Sequence, residues 1–400
     1  MYMNIFVLYF YIMQDNLFDN TETAFKDKSV FALYRGYIIF KIISFPRIVS
    51  FAKFILSFKL IYPLTKLLLK NTMLKQFCGG QNEDDCKNLI QDLNSRNVYS
   101  ILDYSVEGLE NELSFEETVS RTLNLIELNT SNNFPFIVFK PTGIGRFDLY
   151  KKKSSKAKLS DLEKTEWSKV LSRYDVICDS AQKKNVSVLI DAEESWIQSI
   201  IDEIYENLIV KYNSKKAVVY NTVQAYRTDR LEYLKKLYQT FSSTDFHLGI
   251  KLVRGAYMEK ERQRARFLNY IDPIHKSKND TDKCFNNCLI FMFENVELFS
   301  IFIGSHNEKS NYLALDYINK YNITKNKVWF SQLYGMSDHI SYNLSDKGYN
   351  VAKYLPFGPF KGVIPYLFRR AEENTAIEGQ TSRELFLYKK EIKRRNYSKL

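Results

Sequence analysis

The sequence predicts an α/β protein: a (β/α)8 barrel of the TIM type preceded by an N-terminal helical arm. Three observations in the 400 residues predict it. Eight short apolar runs of strand length recur between Val98 and Pro356. The stretches between them are long enough for crossovers and carry apolar residues at helical spacing. No solenoid-period repeat and no Pro/Gly/Ser-rich linker interrupts the region, so alternation of this kind closes as a barrel more naturally than it lies open.

In chain order, Met1–Met13 is apolar but lacks a basic leader segment and a small-residue cleavage site, and it is too short to span a bilayer. We read residues 1–12 as an extension, with translation naturally starting at Met13, in preference to an interfacial anchor. Tyr37–Leu69 is a second apolar region in which Lys41, Arg47, Lys53, Lys59 and Lys66 recur. Such a density of cations argues against a transmembrane helix. Pro46 and Pro63 divide the region into shorter helices. These either pack on the barrel, the default reading, or lie on an anionic membrane surface. Cys78-Gly79-Gly80 closes the arm and Glu83-Asp84-Asp85 opens a helix through Leu93. The division expected is therefore an arm over 1–97 and a barrel over 98–400.

The expected strands are Val98–Val106, Phe136–Pro141, Val186–Asp191, Val218–Gln224, Leu248–Ala256, Phe299–Ser305, Val328–Tyr334 and Val351–Pro356. The patterned helices are Phe115–Leu128, Glu194–Lys211, Arg230–Phe241, Lys283–Val296 and Ser310–Tyr321. Lys151–Lys169 reads as a solvated loop leading into a capping box at Ser160-Asp161-Leu162-Glu163. The tail, Arg383–Lys399, reads as a basic, solvent-facing helix.

Hydrophobic content of 45% and charged content of 26% belong to a globular protein with a real core. The net charge of +11 permits an anionic partner. With no Arg-rich nucleic-acid motif and no zinc-finger spacing, nucleic acid ranks last and is not an expected partner. The five cysteines, an odd number without a disulfide framework, suggest reduced thiols. Cys284 and Cys288 are one helical turn apart without a histidine near them in sequence, so no metal site is expected.

In a barrel, polar residues at the carboxyl ends of strands build the site. Those ends offer Lys140 on the second strand, Asp191 on the third, Gln224 on the fourth, Lys251 and Arg254 on the fifth, Ser305, His306 and Asn307 on the sixth, and Tyr354 near the end of the eighth. Each alone has a plain structural alternative: Lys140 and Asp191 as an internal ion pair, His306 as a satisfied loop histidine. The fifth strand is the most telling. Its cations and the Gly255-Ala256 pair stand just before a helix-forming run from Glu259 to Phe267, an arrangement suited to a phosphate or carboxylate. Arg369 and Arg370 point about 100° apart on a helix. They pair ordinarily with Glu373, or both reach one small anion if the helix is aimed at it.

Lys251-Leu252-Val253-Arg254-Gly255-Ala256-Tyr257 resembles the signature of the proline dehydrogenase (proline oxidase) family. The likeness extends through Leu189-Ile190-Asp191-Ala192-Glu193-Glu194, Ser305-His306-Asn307-Glu308, Gln332-Leu333-Tyr334-Gly335-Met336 and Arg369-Arg370-Ala371-Glu372-Glu373-Asn374, so it covers residues 80–395. The resemblance implies a distorted (β/α)8 barrel and a monofunctional, FAD-dependent oxidation of L-proline to 1-pyrroline-5-carboxylate, the first step from proline toward glutamate. It implies electrons passed to a quinone-type acceptor and a separate pyrroline-5-carboxylate dehydrogenase. It places the protein in the cytoplasm with a peripheral contact on the inner face of the membrane, or on the matrix side of a mitochondrion.

By the same resemblance Lys140, Arg369 and Arg370 clamp the substrate carboxylate, while Leu333 and Tyr354 wall the proline ring. Asp191 orients Lys140 and balances the cations, and Lys251 is the cation near flavin N5. Gln224 bonds the flavin's pyrimidine edge. Arg254, Gly255, Ala256 and Met258 lie against the flavin and its pyrophosphate, Ser305, His306 and Asn307 add FAD contacts, and Glu373 meets a ribose. Two departures stand out, since bifunctional bacterial relatives often carry Arg at the position of Lys251 and Trp at that of Met258. No Gly-x-Gly-x-x-Gly fingerprint occurs, so FAD would be held on the barrel. The rival expectations are another flavin-dependent barrel, such as a folate reductase, and a membrane-docking barrel without flavin.

Overall fold

The computed structural model describes residues 17–56, 67, 69–104, 110–129, 134–376 and 380–397. Its strands are β1 (Val98–Tyr104), β2 (Phe136–Phe139), β3 (Ser187–Ile190), β4 (Val219–Gln224), β5 (Leu248–Val253), β6 (Phe299–Gly304), β7 (Val328–Leu333) and β8 (Asn350–Phe357). They form one eight-stranded sheet in the order β1-β8-β7-β6-β5-β4-β3-β2, the order of a (β/α)8 barrel. Every expected apolar run became a strand. Residues 105 and 106 of the first run, and the expected extension 1–12, lie outside the described residues. All residues of β2, β3 and β4 are buried, as parallel strands covered on both faces must be.

The described residues group into two compact units, one drawn from the spans 1–106 and 332–400, the other from 107–331. In the second unit β2 to β7 pair in sequence. Phe136 on β2 meets Tyr220 on β4, Phe302 on β6 and Trp329 on β7 edge to face, with centroids 5.4, 5.0 and 5.0 Å away. Contacts between strands that are not neighbours put these rings inside the sheet's curve. The expected helices appear at Glu112–Glu127, Ser195–Tyr212, Arg230–Phe241, Lys278–Glu294 and Glu308–Lys320. The expected loop over Lys151–Lys169 is corrected in part. Lys151, Lys152 and Lys153 form the last turn of a helix, Phe147–Ser154, where cations oppose the carbonyl end of the helix dipole. Ser160 and Glu163 do form the reciprocal capping box that opens helix Asp161–Lys183.

In the other unit β1 and β8 pair in parallel from Val98↔Val351 to Tyr104↔Phe357. Helices Val30–Ile43 and Pro46–Leu56 come from the arm, Pro46 standing at a helix start as its missing N–H allows. Lys59, Pro63 and Lys66 lie outside the described residues. Leu33, Ile39, Phe40, Ile43 and Val49 pack with Phe77, Val363, Leu367, Leu387 and Tyr388 in one apolar cluster. The reading of the C-terminal helix as solvent-facing is therefore corrected. Helix Gln380–Tyr397 buries Leu387 and Tyr388, and Tyr388 rests on Phe25 and Phe40 with centroids 4.7 and 5.7 Å away. Gly36 makes room for it, since a Cβ there would lie 2.6 Å from the Tyr388 ring. Some of the cations that made this helix look exposed are themselves tied to the N-terminal helices, Arg395 to the Phe25 and Lys28 carbonyls and Arg383 to Asp19.

Packing claims only one side of the arm. Phe31, Tyr34, Ile38, Ile42, Phe45, Ile48 and Phe51 are exposed, Phe31 by 76%. Among the described residues no helix is long and apolar enough to cross a membrane.

Candidate functional site

In the unit spanning 107–331, the carboxyl ends of β2 to β6 present the expected polar residues. Asp191 follows β3 and is held by its N–H, which donates to the Phe139 carbonyl at 3.0 Å. Its carboxylate takes the Lys251 ammonium at 2.5 Å, and Lys251, 6% exposed, projects from β5. Lys251 is thus a cation joined to Asp191, a pairing the expectation did not include. Lys140 follows β2 and starts the 3-10 turn Pro141–Gly143. Gln224 ends β4, and its side-chain nitrogen donates to the Glu193 carbonyl at 2.8 Å. That bond fixes the amide, turning its oxygen away from Glu193.

A second network gathers around Arg254. Its Nε donates to Asp282 at 2.6 Å, one terminal nitrogen to the Ser305 hydroxyl at 2.8 Å and the other to the Ser310 hydroxyl at 3.0 Å. The guanidinium also lies 4.4 Å above the Phe285 ring. Asn307 caps helix Glu308–Lys320, accepting from the Ser310 N–H at 3.0 Å, and its own N–H donates to Ser305 Oγ. A helix start, a guanidinium and hydroxyls thus meet at one place, the donor set an anion needs. His306 stands between Ser305 and Asn307, half-buried.

Gly255 is next to this network with φ +124°, and an added Cβ would lie 2.4 Å from the Tyr226 ring. Only glycine fits there, which leaves bare backbone facing outward. Ala256 and Met258 beside it are exposed. These residues suit a dinucleotide cofactor: the phosphates would meet Arg254 and the helix start, and a planar ring would meet open backbone. Among the described residues no group of His, Cys, Asp and Glu could hold a metal ion.

The remaining candidates lie in the other unit. Leu333 ends β7, half-buried, and Tyr354 on β8 is 7% exposed, its carbonyl accepting the Tyr334 N–H at 2.8 Å. Arg369 and Arg370 belong to helix Phe360–Ala376, and the Arg370 guanidinium lies 5.2 Å over the Tyr366 ring. The side chain of Glu373 is outside the described ones.

Two acids escaped the sequence reading. Glu193 is 6% exposed and accepts both the Thr142 N–H, at 3.0 Å, and the Thr142 hydroxyl, at 2.7 Å. Burial pushes its carboxyl up to about 7, against the pull of those bonds and of Lys140. Glu261, fully buried, accepts the N–H and hydroxyl of Ser195, both at 2.6 Å, and so caps helix Ser195–Tyr212 from another element. Lys260 adds an ion pair to Glu194. The visible signal was the acidic pair Glu193-Glu194 directly behind a strand end, which reads as solvent-exposed unless the loop is known to fold inward.

Residues 86–383 match the family model described as proline dehydrogenase. The chain is 32% identical over 320 residues to the carbapenem antibiotics biosynthesis protein CarD of Pectobacterium carotovorum subsp. carotovorum, covering 80% of this chain and 83% of that one. It is 31% identical to the mitochondrial proline dehydrogenase 1 of Dictyostelium discoideum, covering 94% of this chain and 74% of that one. Among solved structures it resembles proline utilization A of Bdellovibrio bacteriovorus, inactivated there by N-propargylglycine, with a TM-score of 0.74 and 20% identity. That likeness covers 92% of this chain but 42% of the larger protein, and it bears on the fold.

Proposed function

The chain belongs to the proline dehydrogenase family, a flavoenzyme family of oxidoreductases in proline catabolism, and we propose that it oxidises L-proline to 1-pyrroline-5-carboxylate with bound FAD. The observation that carries the cofactor reading is the fan of bonds from Arg254 to Asp282, Ser305 and Ser310 beside the bare backbone of Gly255. Arg254, Gly255, Ala256, Ser305, His306 and Asn307 would hold the pyrophosphate end, Glu373 a ribose, and Met258 would pack on the ring system through its thioether. Gln224, its amide already oriented, would accept from the pyrimidine edge. FAD, when bound, supplies the two-electron acceptor.

The chain's own residues do the rest. Arg369, Arg370 and Lys140 grip the carboxylate, with Leu333 and Tyr354 along the ring, which fixes C5 of proline in one orientation. The same cations favour the neutral amine, so proline gives up its N–H proton before a hydride leaves C5. Asp191, bonded to Lys251, would orient Lys140 and keep this cationic rim from repelling itself, with Lys251 beside the ring system. Proline loses a hydride and a proton, and the product carries a C=N bond. Electrons go on to a quinone-type acceptor, and a separate pyrroline-5-carboxylate dehydrogenase takes the product.

Relatives are named mitochondrial, and we place this chain on the matrix side of that organelle's membrane or, in a bacterium, on the cytoplasmic face. The arm over 1–97 would serve as the contact and the barrel over 98–400 as the catalyst. The apolar face from Phe31 to Phe51, with Lys41 and Arg47 exposed alongside, supports an anionic surface as its partner. The deciding experiment is anaerobic addition of L-proline to the purified yellow protein. Bleaching of the flavin bands is expected. A yellow protein that proline leaves unbleached would be another flavin barrel, and a colourless one that cannot be loaded with FAD would be the docking barrel.

A further inference from the structure

Glu193 has contacts on both sides of the rim that the proposed reaction does not use. Its carboxylate pins the turn that follows Lys140, through the N–H and hydroxyl of Thr142. Its backbone carbonyl orients the amide of Gln224. One residue therefore registers the end of β2, which carries the expected substrate cation, with the end of β4, which carries the expected flavin contact. The carboxyl is buried among charged and titratable groups. Lys140 approaches from the end of β2 and Glu194 from the adjoining residue, while the phenols of Tyr150 and Tyr174, bonded to each other at 3.3 Å, face it from helices Phe147–Ser154 and Asp161–Lys183.

We infer that Glu193 is a proton-linked positioning residue: it holds the Lys140 turn in place and takes up a proton when a carboxylate binds beside Lys140, so that the two negative charges seldom stand together on the rim. The inference rests on the reading of Lys140 as a contact of the substrate carboxylate. The geometry allows the switch without movement. As an anion, Glu193 accepts from both Thr142 donors. As an acid, one oxygen still accepts the Thr142 N–H, while the other donates to the Thr142 hydroxyl, which reverses its role. The turn stays fixed, and only the charge next to Lys140 changes. Burial has already brought the carboxyl to about 7, so a second anion nearby is enough to protonate it at physiological pH.

Cyclopentanecarboxylate, which has no amine to titrate or oxidise, is the probe. With FAD-loaded full-length protein, its binding is followed by the shift of the flavin spectrum and by calorimetry in buffers of different ionisation enthalpy. The wild type should take up a fraction of a proton per ligand near pH 7.5. Affinity should fall about three- to tenfold between pH 6 and pH 8.5, the same factor by which the bound ligand tightens the Glu193 proton. Glu193→Gln keeps both Thr142 contacts, with its amide nitrogen donating to the hydroxyl, and mimics the acid form. It should bind the probe at pH 8.5 as tightly as the wild type does at pH 6, with no proton uptake. Infrared difference spectra between the two pH values should show a protonated carboxylic acid band lost in the variant. Undiminished proton uptake or an unchanged pH profile in Glu193→Gln overturns the inference and leaves the proposed reaction standing. Failure of wild-type protein to bind the probe at any pH removes the carboxylate clamp, and the inference with it. Should Glu193→Gln not accumulate, Thr142→Val serves: losing the hydroxyl that favours the anion, it should move the inflection to higher pH, and an unmoved inflection counts against the role.

Discussion

The ammonium of Lys353 donates to the carboxylate of Asp338 at 2.9 Å and to the Met336 carbonyl at 2.6 Å, entirely out of reach of solvent. Lys28, at the start of the arm, approaches the same carboxylate at 3.1 Å. Burial works to raise the Asp338 pKa, but Lys353 and Lys28 outweigh it and hold the group well below the ordinary carboxylate range. The pair therefore fastens the outer side of β8 to the chain's first helices.

Lys353→Met should destabilise the protein by about 3–5 kcal/mol, because it leaves a buried charge without its nearest partner. Urea unfolding measures this, and a loss below about 1 kcal/mol would mean Lys28 alone suffices. The pH dependence has a definite sign. A carboxyl depressed by folding contributes stability above its unfolded value of about 4, and loses it as pH falls below that value. Asp338→Asn should flatten the acid limb of the stability curve below about pH 4. An acid limb as steep as the wild type's would place the dependence elsewhere.

Gly255→Ala should cost flavin before it costs folding. The new Cβ meets the Tyr226 ring, and φ +124° strains any side chain. Visible absorbance per protein should fall at least severalfold, with far-ultraviolet circular dichroism unchanged. Full flavin content would show that Tyr226 yields and that the bare backbone is not required.

Arg370→Met should keep flavin and weaken proline by at least about tenfold, the loss of one charge-assisted contact worth about 1.5–3 kcal/mol. Steady-state kinetics with proline reports it, and unchanged KM and kcat would take Arg370 out of the clamp.

The arm face gives a physical test. Anionic liposomes should carry the protein upward in a density gradient at low salt, and neutral ones much less, each exposed cation adding about 1 kcal/mol. Replacing Phe31, Phe45 and Phe51 with Ser should abolish flotation without lowering turnover in solution. Flotation that survives both the triple substitution and high salt would put the contact on another surface.

The barrel was legible because strands covered on both faces are largely apolar, and runs such as Phe136–Phe139 or Val188-Leu189-Ile190 have few other uses. Strand ends were less so. Asp191 and Ala256 look continuous with their strands, yet the chain turns one to three residues earlier, where the rim network takes over the backbone. The candidate rim could be named from strand ends alone, but not its wiring. Nothing in the sequence tells that Asp191 meets Lys251, or that Glu193 turns inward to Thr142, since those pairings depend on which neighbouring strand lies alongside. The C-terminal helix was misread for a related reason. Its burial at Leu387 and Tyr388 is dictated by Gly36 and Phe40, far away in the chain, and composition registers only its lysines and arginines.

Gln76, at the end of the arm, donates both to the Gly335 carbonyl at 3.0 Å and to the Tyr388 hydroxyl at 3.4 Å, the latter 312 positions further on. Gly36 waits for the same tyrosine. On a ribosome adding roughly 5–20 residues each second, the arm emerges on the order of 15–60 s before the helix it needs. For that interval Leu33, Phe40 and Ile43 have the arm's own Phe77 beside them but lack Leu387 and Tyr388, and the nascent chain displays apolar surface that the finished protein buries. Synthesis of this protein should therefore depend on a chaperone that holds the first segment until the last one arrives, and a circular permutant joining the two ends should be released from that dependence.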